Sequence, residues 1–248
     1  MRSPVDTIAA PTFPKHGVAW VNVATLRMEK QVRRPVLIEF WDVCRPSCLR
    51  TLPYLRAWHE RYAEAGLRVI GVHSSGFEAG RDEALAREAI ARLGIAHPVM
   101  LDPEFLLWRA YAAPGWPSRY LIAPRLRVFE VHHGEGDYHG TERAIQELLE
   151  MDEPLTPLVD PTDDDDAPIV VPTADVEGPH DGPYAAGEVW VVVDRPGTVT
   201  VNGERHVLDR VGAHRVIRHE RHTAGEVRVT PDGTAEVLMT AFLPGLAG

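Results

Sequence analysis

Cys44 and Cys48 are the only cysteines of this chain, and they stand with three residues between them in the stretch FWDVCRPSCLRTLPYL that begins at Phe40. An apolar run precedes them and a helical pattern follows, so both fall where a helix starts. There the unpaired backbone N–H groups and the helix dipole favour a thiolate, and Arg45 adds positive charge, so a lowered cysteine pKa is expected. A thiolate is the nucleophile of thiol-disulfide exchange. Two readings stay open at this spacing. One is a reversible Cys44–Cys48 disulfide, which needs Cα atoms within about 7 Å and converging Cβ vectors. The other is a pair of helix-start thiols that never close. Glu39 interrupts the otherwise apolar run VLIEFW. In a central strand it is a buried carboxylate of raised pKa that can act as a general base; at an edge it is a solvated side chain.

The elements that must hold these residues alternate. Val36–Phe40 and Arg68–His73 are short apolar runs of the buried-strand kind, and between them Leu49, Leu52, Leu55, Trp58 and Tyr62 repeat at helical spacing in a helix over Ser47–Ala65. Gly66 closes that helix, Pro46 suits its first turn, and Pro53 is expected to kink it. A helix over Asp82–Leu93, a strand over His97–Leu101 and a helix over Glu104–Ala112 follow. SRYLIAP and RVFEVHH then read as an antiparallel pair before a last helix over Thr141–Glu150. The order βαβαβαββα implies an α/β domain over residues 1–150, with a central mixed, largely parallel sheet covered by helices on both faces.

Charge divides the rest. Residues 1–150 carry 18 acids and 19 bases, residues 151–181 carry 10 acids and no base, and residues 182–248 carry 8 acids and 7 bases. The middle segment is rich in Pro and Asp and is expected to be a linker with little apolar surface to offset ordering, though Ile169–Val171 could add an edge strand. Asp163–Asp166 lacks the spaced ligands and turn glycine of a calcium loop and reads as a solvated spacer. Residues 182–248 hold six short strands, over Glu188–Asp194, Gly197–Val201, Glu204–Leu208, His214–Arg218, Glu226–Thr230 and Ala235–Phe242. Asn202-Gly203 is a type I′ turn signal, so a small all-β sandwich is expected, one small enough to pack on the first domain or to join copies into a homo-oligomer.

The net charge of -10 and the lack of a basic stripe argue against nucleic acid. No apolar run approaches the roughly 20 residues of a membrane span, and MRSPVDTIAAPTFPKHG has no secretion-signal pattern, so a cytoplasmic protein without membrane association is expected. Among the 12 histidines, His219 and His222 share a helical spacing within a β pattern and read as surface residues.

The element order, the FW before the cysteines, LRTLPYL after them and WPSRYLI at Trp116–Ile122 resemble thioredoxin-fold proteins of the TlpA, ResA and DipZ group. The similarity runs over roughly Pro14–Glu150 and includes AWVN at Ala19–Asn22, GVH at Gly71–His73, WRAY at Trp108–Tyr111 and HHGEGDY at His132–Tyr138. It is strongest toward the DipZ carboxy-terminal region and the thioredoxin-like domain of NHL-repeat proteins. The resemblance implies a thiol-disulfide oxidoreductase that acts on protein thiols and disulfides and needs no cofactor. Cys44, Cys48 and Glu39 would be catalytic; Trp41, Arg45, Trp116 and Pro117 would meet the substrate, with Pro117 in a cis peptide. One departure matters. Counted from Trp41, Cys48 holds the resolving position, Arg45 stands where the attacking cysteine should be, and Cys44 comes one residue early. A redox-inactive interaction module on the same scaffold is therefore the alternative. A Sco-like copper chaperone is third: its distant histidine would fall where Pro117-Ser118 stand, with His132 and His133 nearest and no metal ligand set assigned.

Overall fold

The structure is a computed structural model and describes Thr7–Gly248; the first six residues of the domain expected from residue 1, and of the stretch searched for a signal, lie outside the described residues. The chain forms two units. The first runs through Asp42 and includes Ser47–Ser75 and Arg81–Val159; the second comprises Val43–Pro46, Gly76–Gly80 and Asp160–Gly248.

The first unit is built of β1 (Ala19–Val21), β2 (Val36–Trp41), α1 (Pro46–Tyr62), β3 (Arg68–His73), α2 (Glu83–Arg92), β4 (Val99–Leu101), α3 (Leu106–Ala110), β5 (Ser118–Ala123), β6 (Arg127–His133) and α4 (Tyr138–Leu149). Its sheet has the order β1-β4-β3-β2-β5-β6. Pairing is parallel for β2–β3 and β3–β4 and antiparallel for β1–β4, β2–β5 and β5–β6, so the sheet is mixed rather than largely parallel. β1 adds a strand to the expected order; three residues are too few to show a period. The centre of the sheet is β2, all six of whose residues are buried. Its residues alternate between faces. Val36, Ile38 and Phe40 join Ile70, Val72, Met100, Tyr120, Ile122 and Leu107 in one apolar core. Leu37, Glu39 and Trp41 point the other way. α1 continues through Pro53 and is closed at Gly66, whose φ of 116° suits glycine and whose N–H donates to Tyr62 O at 3.1 Å.

The second unit is all-β. Its strands are β7 (Ile169–Val170), β8 (Val176–Glu177), β9 (Asp181–Val193), β10 (Gly197–Val201), β11 (Glu204–Leu208), β12 (Gly212–Pro231), β13 (Val237–Leu243) and β14 (Gly245–Leu246). Six of them follow the order β11-β10-β12-β9-β13-β8, and β14 pairs with β7 in a separate ribbon. Asn202 and Gly203, with φ of 50° and 88°, make the two-residue turn between β10 and β11. Two of the expected short strands are one: β12 spans both His214–Arg218 and Glu226–Thr230. Register shifts at Arg215/Ile217 and Arg218/Thr223 break its alternation, which is why the sequence shows two runs. Tyr184 and Phe242 stack in the core with ring centroids 5.7 Å apart, and Trp190 donates its indole N–H to Glu188 at 2.8 Å. His219 Nε2 lies 2.7 Å from Tyr184 Oη.

The acidic segment differs from a bare tether. Residues 151–159 belong to the first unit, where Glu153 N–H donates to Gln146, Thr156 N–H to Glu142 and Val159 N–H to Tyr54 Oη at 2.7–3.0 Å. Residues 160–181 belong to the second, where Asp163 is buried and accepts from Asp160 N–H, Arg218 pairs with Asp160 at 2.8 Å, and Ile169–Val170 form β7. Backbone donors and acidic side chains here find fixed partners, which offset an ordering entropy that composition alone does not cover.

Candidate functional site

Pro46 opens α1, where a missing N–H costs nothing, and so sets Cys48 in the first turn, with Cys44 two residues ahead of the helix. Both cysteines are thiols and both are buried. Asp42 N–H donates to Cys48 Sγ at 3.4 Å. Burial raises the Cys48 thiol well above its ordinary value. The Asp42 N–H opposes that rise, whereas the charges of Asp42, Glu39 and Glu135 add to it. The helix start therefore does not make Cys48 a thiolate, contrary to the sequence expectation: desolvation outweighs the dipole. A thiol so placed needs a base.

Cys44 sits in the segment Val43–Pro46, which packs within the second unit. There Ala213 N–H donates to Val43 O at 3.4 Å, and the Arg45 guanidinium lies 3.4 Å from Met239 Sδ and 5.0 Å over the Phe77 ring.

Glu39 is wholly buried on β2, and burial pushes its carboxyl up to about 8 from an ordinary 4.5, against the pull of Arg119. Arg119, opposite Glu39 in the β2–β5 register, is also buried, with Nε 3.8 Å from Glu39 Oε2. That is an ion pair rather than a hydrogen bond. Among the described residues neither Glu39 oxygen has a hydrogen-bond partner, and Arg119 Nε and Nη1 have none either. Arg119 Nη2 donates to Gly136 O, and its guanidinium carbon lies 5.8 Å from the Trp58 ring and 5.0 Å from the Tyr138 ring. The reading of the sequence did not single out Arg119. Its signal was a cation inside the apolar strand SRYLI, the counterpart of the acid inside VLIEFW.

The Trp116–Pro117 peptide is cis. Trp116 donates its indole N–H to Ser74 O at 2.8 Å and stacks at 4.3 Å on Trp108, while Pro117 O accepts from Gly134 N–H at 2.8 Å. Trp41 is buried with its ring 4.7 Å from that of His73. Of the two histidines nearest a copper site, His132 Nε2 lies 2.9 Å from Glu135 O and His133 Nδ1 lies 3.2 Å from Ser118 Oγ. Among the described residues no group of three or more His, Cys, Asp or Glu could hold a metal ion, and no helix is long and apolar enough to cross a membrane.

No protein-family model matches the chain. Over 127 residues it is 35% identical to the protein DipZ of Mycobacterium tuberculosis, a match that covers 51% of this chain and 18% of DipZ. Over 131 residues it is 26% identical to the thiol-disulfide oxidoreductase YkuV of Bacillus subtilis, covering 53% of this chain and 88% of that protein. The chain thus spans under a fifth of DipZ. Among solved structures, a thiol-disulfide isomerase from Corynebacterium glutamicum superposes with a TM-score of 0.51 at 22% identity, over 60% of this chain and all of that one, which shows the fold of the first unit.

Proposed function

We propose that this chain, whose first unit is similar to the thioredoxin-like proteins of the TlpA, ResA and DipZ family, is a thiol-disulfide oxidoreductase acting on protein disulfides through Cys44 and Cys48. The Cys44 thiolate attacks one sulfur of a partner disulfide; that S–S bond breaks, the other partner sulfur leaves as a thiolate, and Cys44 is held in a mixed disulfide. Cys48 then gives its proton to Glu39 and attacks Cys44 Sγ. The mixed bond breaks, a Cys44–Cys48 disulfide forms, and the second partner sulfur leaves. The partner gains two electrons from the protein dithiol, which an external dithiol restores. Trp41, Arg45, Trp116 and Pro117 would contact the substrate chain.

The observation that carries this reading is the pairing of needs at Cys48 and Glu39. One is a thiol that burial keeps protonated; the other is a carboxyl whose pKa of about 8 suits proton exchange near neutral pH, and its charge is felt at Cys48. Reduction of insulin disulfides by wild type, Cys44→Ser and Cys48→Ser tests it. Each substitution should abolish turnover, and Cys48→Ser should accumulate the mixed disulfide; turnover surviving in both variants overturns the mechanism.

A cytoplasmic setting and a reducing direction fit a chain with only two cysteines. For the second unit the reading keeps a sandwich packing, supported by a single core that draws Val199, Val201 and Leu208 together with Val191, Val227 and Phe242, and a role in joining copies of the chain. The early Cys44 favours the second reading, an interaction module without redox chemistry. Mass spectrometry after alkylation in graded dithiol buffers separates the two: a Cys44–Cys48 bond at mildly oxidising poise supports exchange, and two alkylated thiols at every poise support the module.

A further inference from the structure

We propose that Arg119 is a positioning residue for the proton transfer: its guanidinium, fixed on β5 beside β2, keeps enough of the buried Glu39 carboxylate charged to take the Cys48 proton near neutral pH. The proposal rests on the thiol-disulfide reading above and deepens it.

Geometry carries the proposal. A carboxylate in an apolar interior has to be neutralised, hydrogen-bonded or paired. Glu39 has no hydrogen-bond partner among the described residues, and the 3.8 Å approach of Arg119 is its ion pair. Arg119 cannot solve the problem by losing its proton, because a guanidinium stays charged in proteins. It is held by its bond to Gly136 O and by the faces of Trp58 and Tyr138. The pair is thus built so that the charge of the acid can vary and that of the base cannot. At 3.8 Å the two are close enough for attraction but too far apart to share a hydrogen. A tight bidentate contact would lock Glu39 as a permanent anion with little basicity, and no cation at all would leave it a permanent acid. The intermediate distance leaves it able to change state.

The charged surroundings come from few elements. On β5 the group facing Glu39 is Arg119; on α1 it is Cys48, which feels the Glu39 charge. On β3 the register partner of Glu39 is Gly71, which has no side chain to titrate. On β6, His132 is the register partner of Arg119 and is pushed down by burial first and by that cation second. α4 contributes the Tyr138 ring against the guanidinium, and Glu135, in the turn before α4, acts on Cys48. Arg119 is therefore the cation that counts for Glu39.

The test follows the Glu39 carboxyl band by infrared difference spectroscopy of the full chain across pH, with Glu39→Gln identifying the band. Arg119→Met should raise the midpoint of that band by about one to three pH units. Arg119→Gln, which keeps a donor for Gly136 O, is run in parallel so that a folding failure in one does not end the test, and Arg119→Lys should return the midpoint toward wild type. The pH profile of insulin reduction should move up with the band. A midpoint unmoved in a folded Arg119→Met or Arg119→Gln protein overturns the role of Arg119 whether or not exchange occurs. A midpoint that moves in a protein without cysteine-dependent reduction overturns the thiol-disulfide reading instead, and the role in proton transfer with it.

Discussion

The two faces of the six-stranded sheet are built on opposite terms. One is apolar throughout its centre, with Phe40 packed against Trp108, Tyr111 and Tyr120 at centroid distances of 5.5–5.7 Å. The other buries Glu39, Arg119 and Trp41, and each leaves polar atoms without partners among the described residues. The first arrangement stabilises the domain, since each buried aromatic or aliphatic side chain contributes about 1.5–3 kcal/mol. The second does not, because desolvating two charges offsets most of their attraction. Alternation along a single strand thus separates a face that holds the domain together from one kept for reactivity.

The contrast can be broken from either side. Phe40→Ala should cost about 3–5 kcal/mol in urea unfolding, while the folded fraction keeps the wild-type pH profile of disulfide reduction; a changed profile would mean the faces are not independent. Glu39→Leu alone should cost about 3 kcal/mol or more, because it strands the Arg119 cation in the interior. The double change Glu39→Leu with Arg119→Leu should recover that loss and gain about 1–4 kcal/mol over wild type while exchange slows; a double variant no more stable than Glu39→Leu would show that the pair supports the fold.

The contrast also shows in the pH dependence of unfolding. Between the ordinary 4.5 of Glu39 and its folded value of about 8, the folded protein holds a proton that the unfolded chain has lost. Stability should therefore fall as pH rises through that window and level off above it. Burial lowers His97 from 6.5 to about 3, so its contribution falls instead as pH drops from 6.5 toward 3. Glu39→Gln should flatten the alkaline decline in denaturation midpoints and leave the acid one in place.

Much of this was legible in the sequence. The apolar runs located β2 and β3, and the apolar residues at helical spacing located α1, because buried parallel strands and an amphipathic helix leave strong periodic signals. Cys44, Cys48 and Glu39 stood out by residue type. Arg119 did not, since a cation in a strand next to a cis-proline segment gains its meaning from a register partner eighty positions away. The raised Cys48 thiol was missed for a related reason: helix starts are local, but desolvation depends on the whole fold. The order of residues 151–181 was hidden too, because its partners Gln146, Glu142 and Tyr54 lie outside it.

The second unit draws on three separate stretches of chain, one of them the four residues that contain Cys44. Its modularity is therefore not that of a bead on a string. A gene fusion or truncation made at residue 160 would carry off β7–β14 but leave Val43–Pro46 behind, and with it the Ala213–Val43 hydrogen bond and the Arg45–Met239 contact would go. The nucleophile of the proposed reaction and the all-β module are in that sense one heritable piece, written at separate places in the sequence.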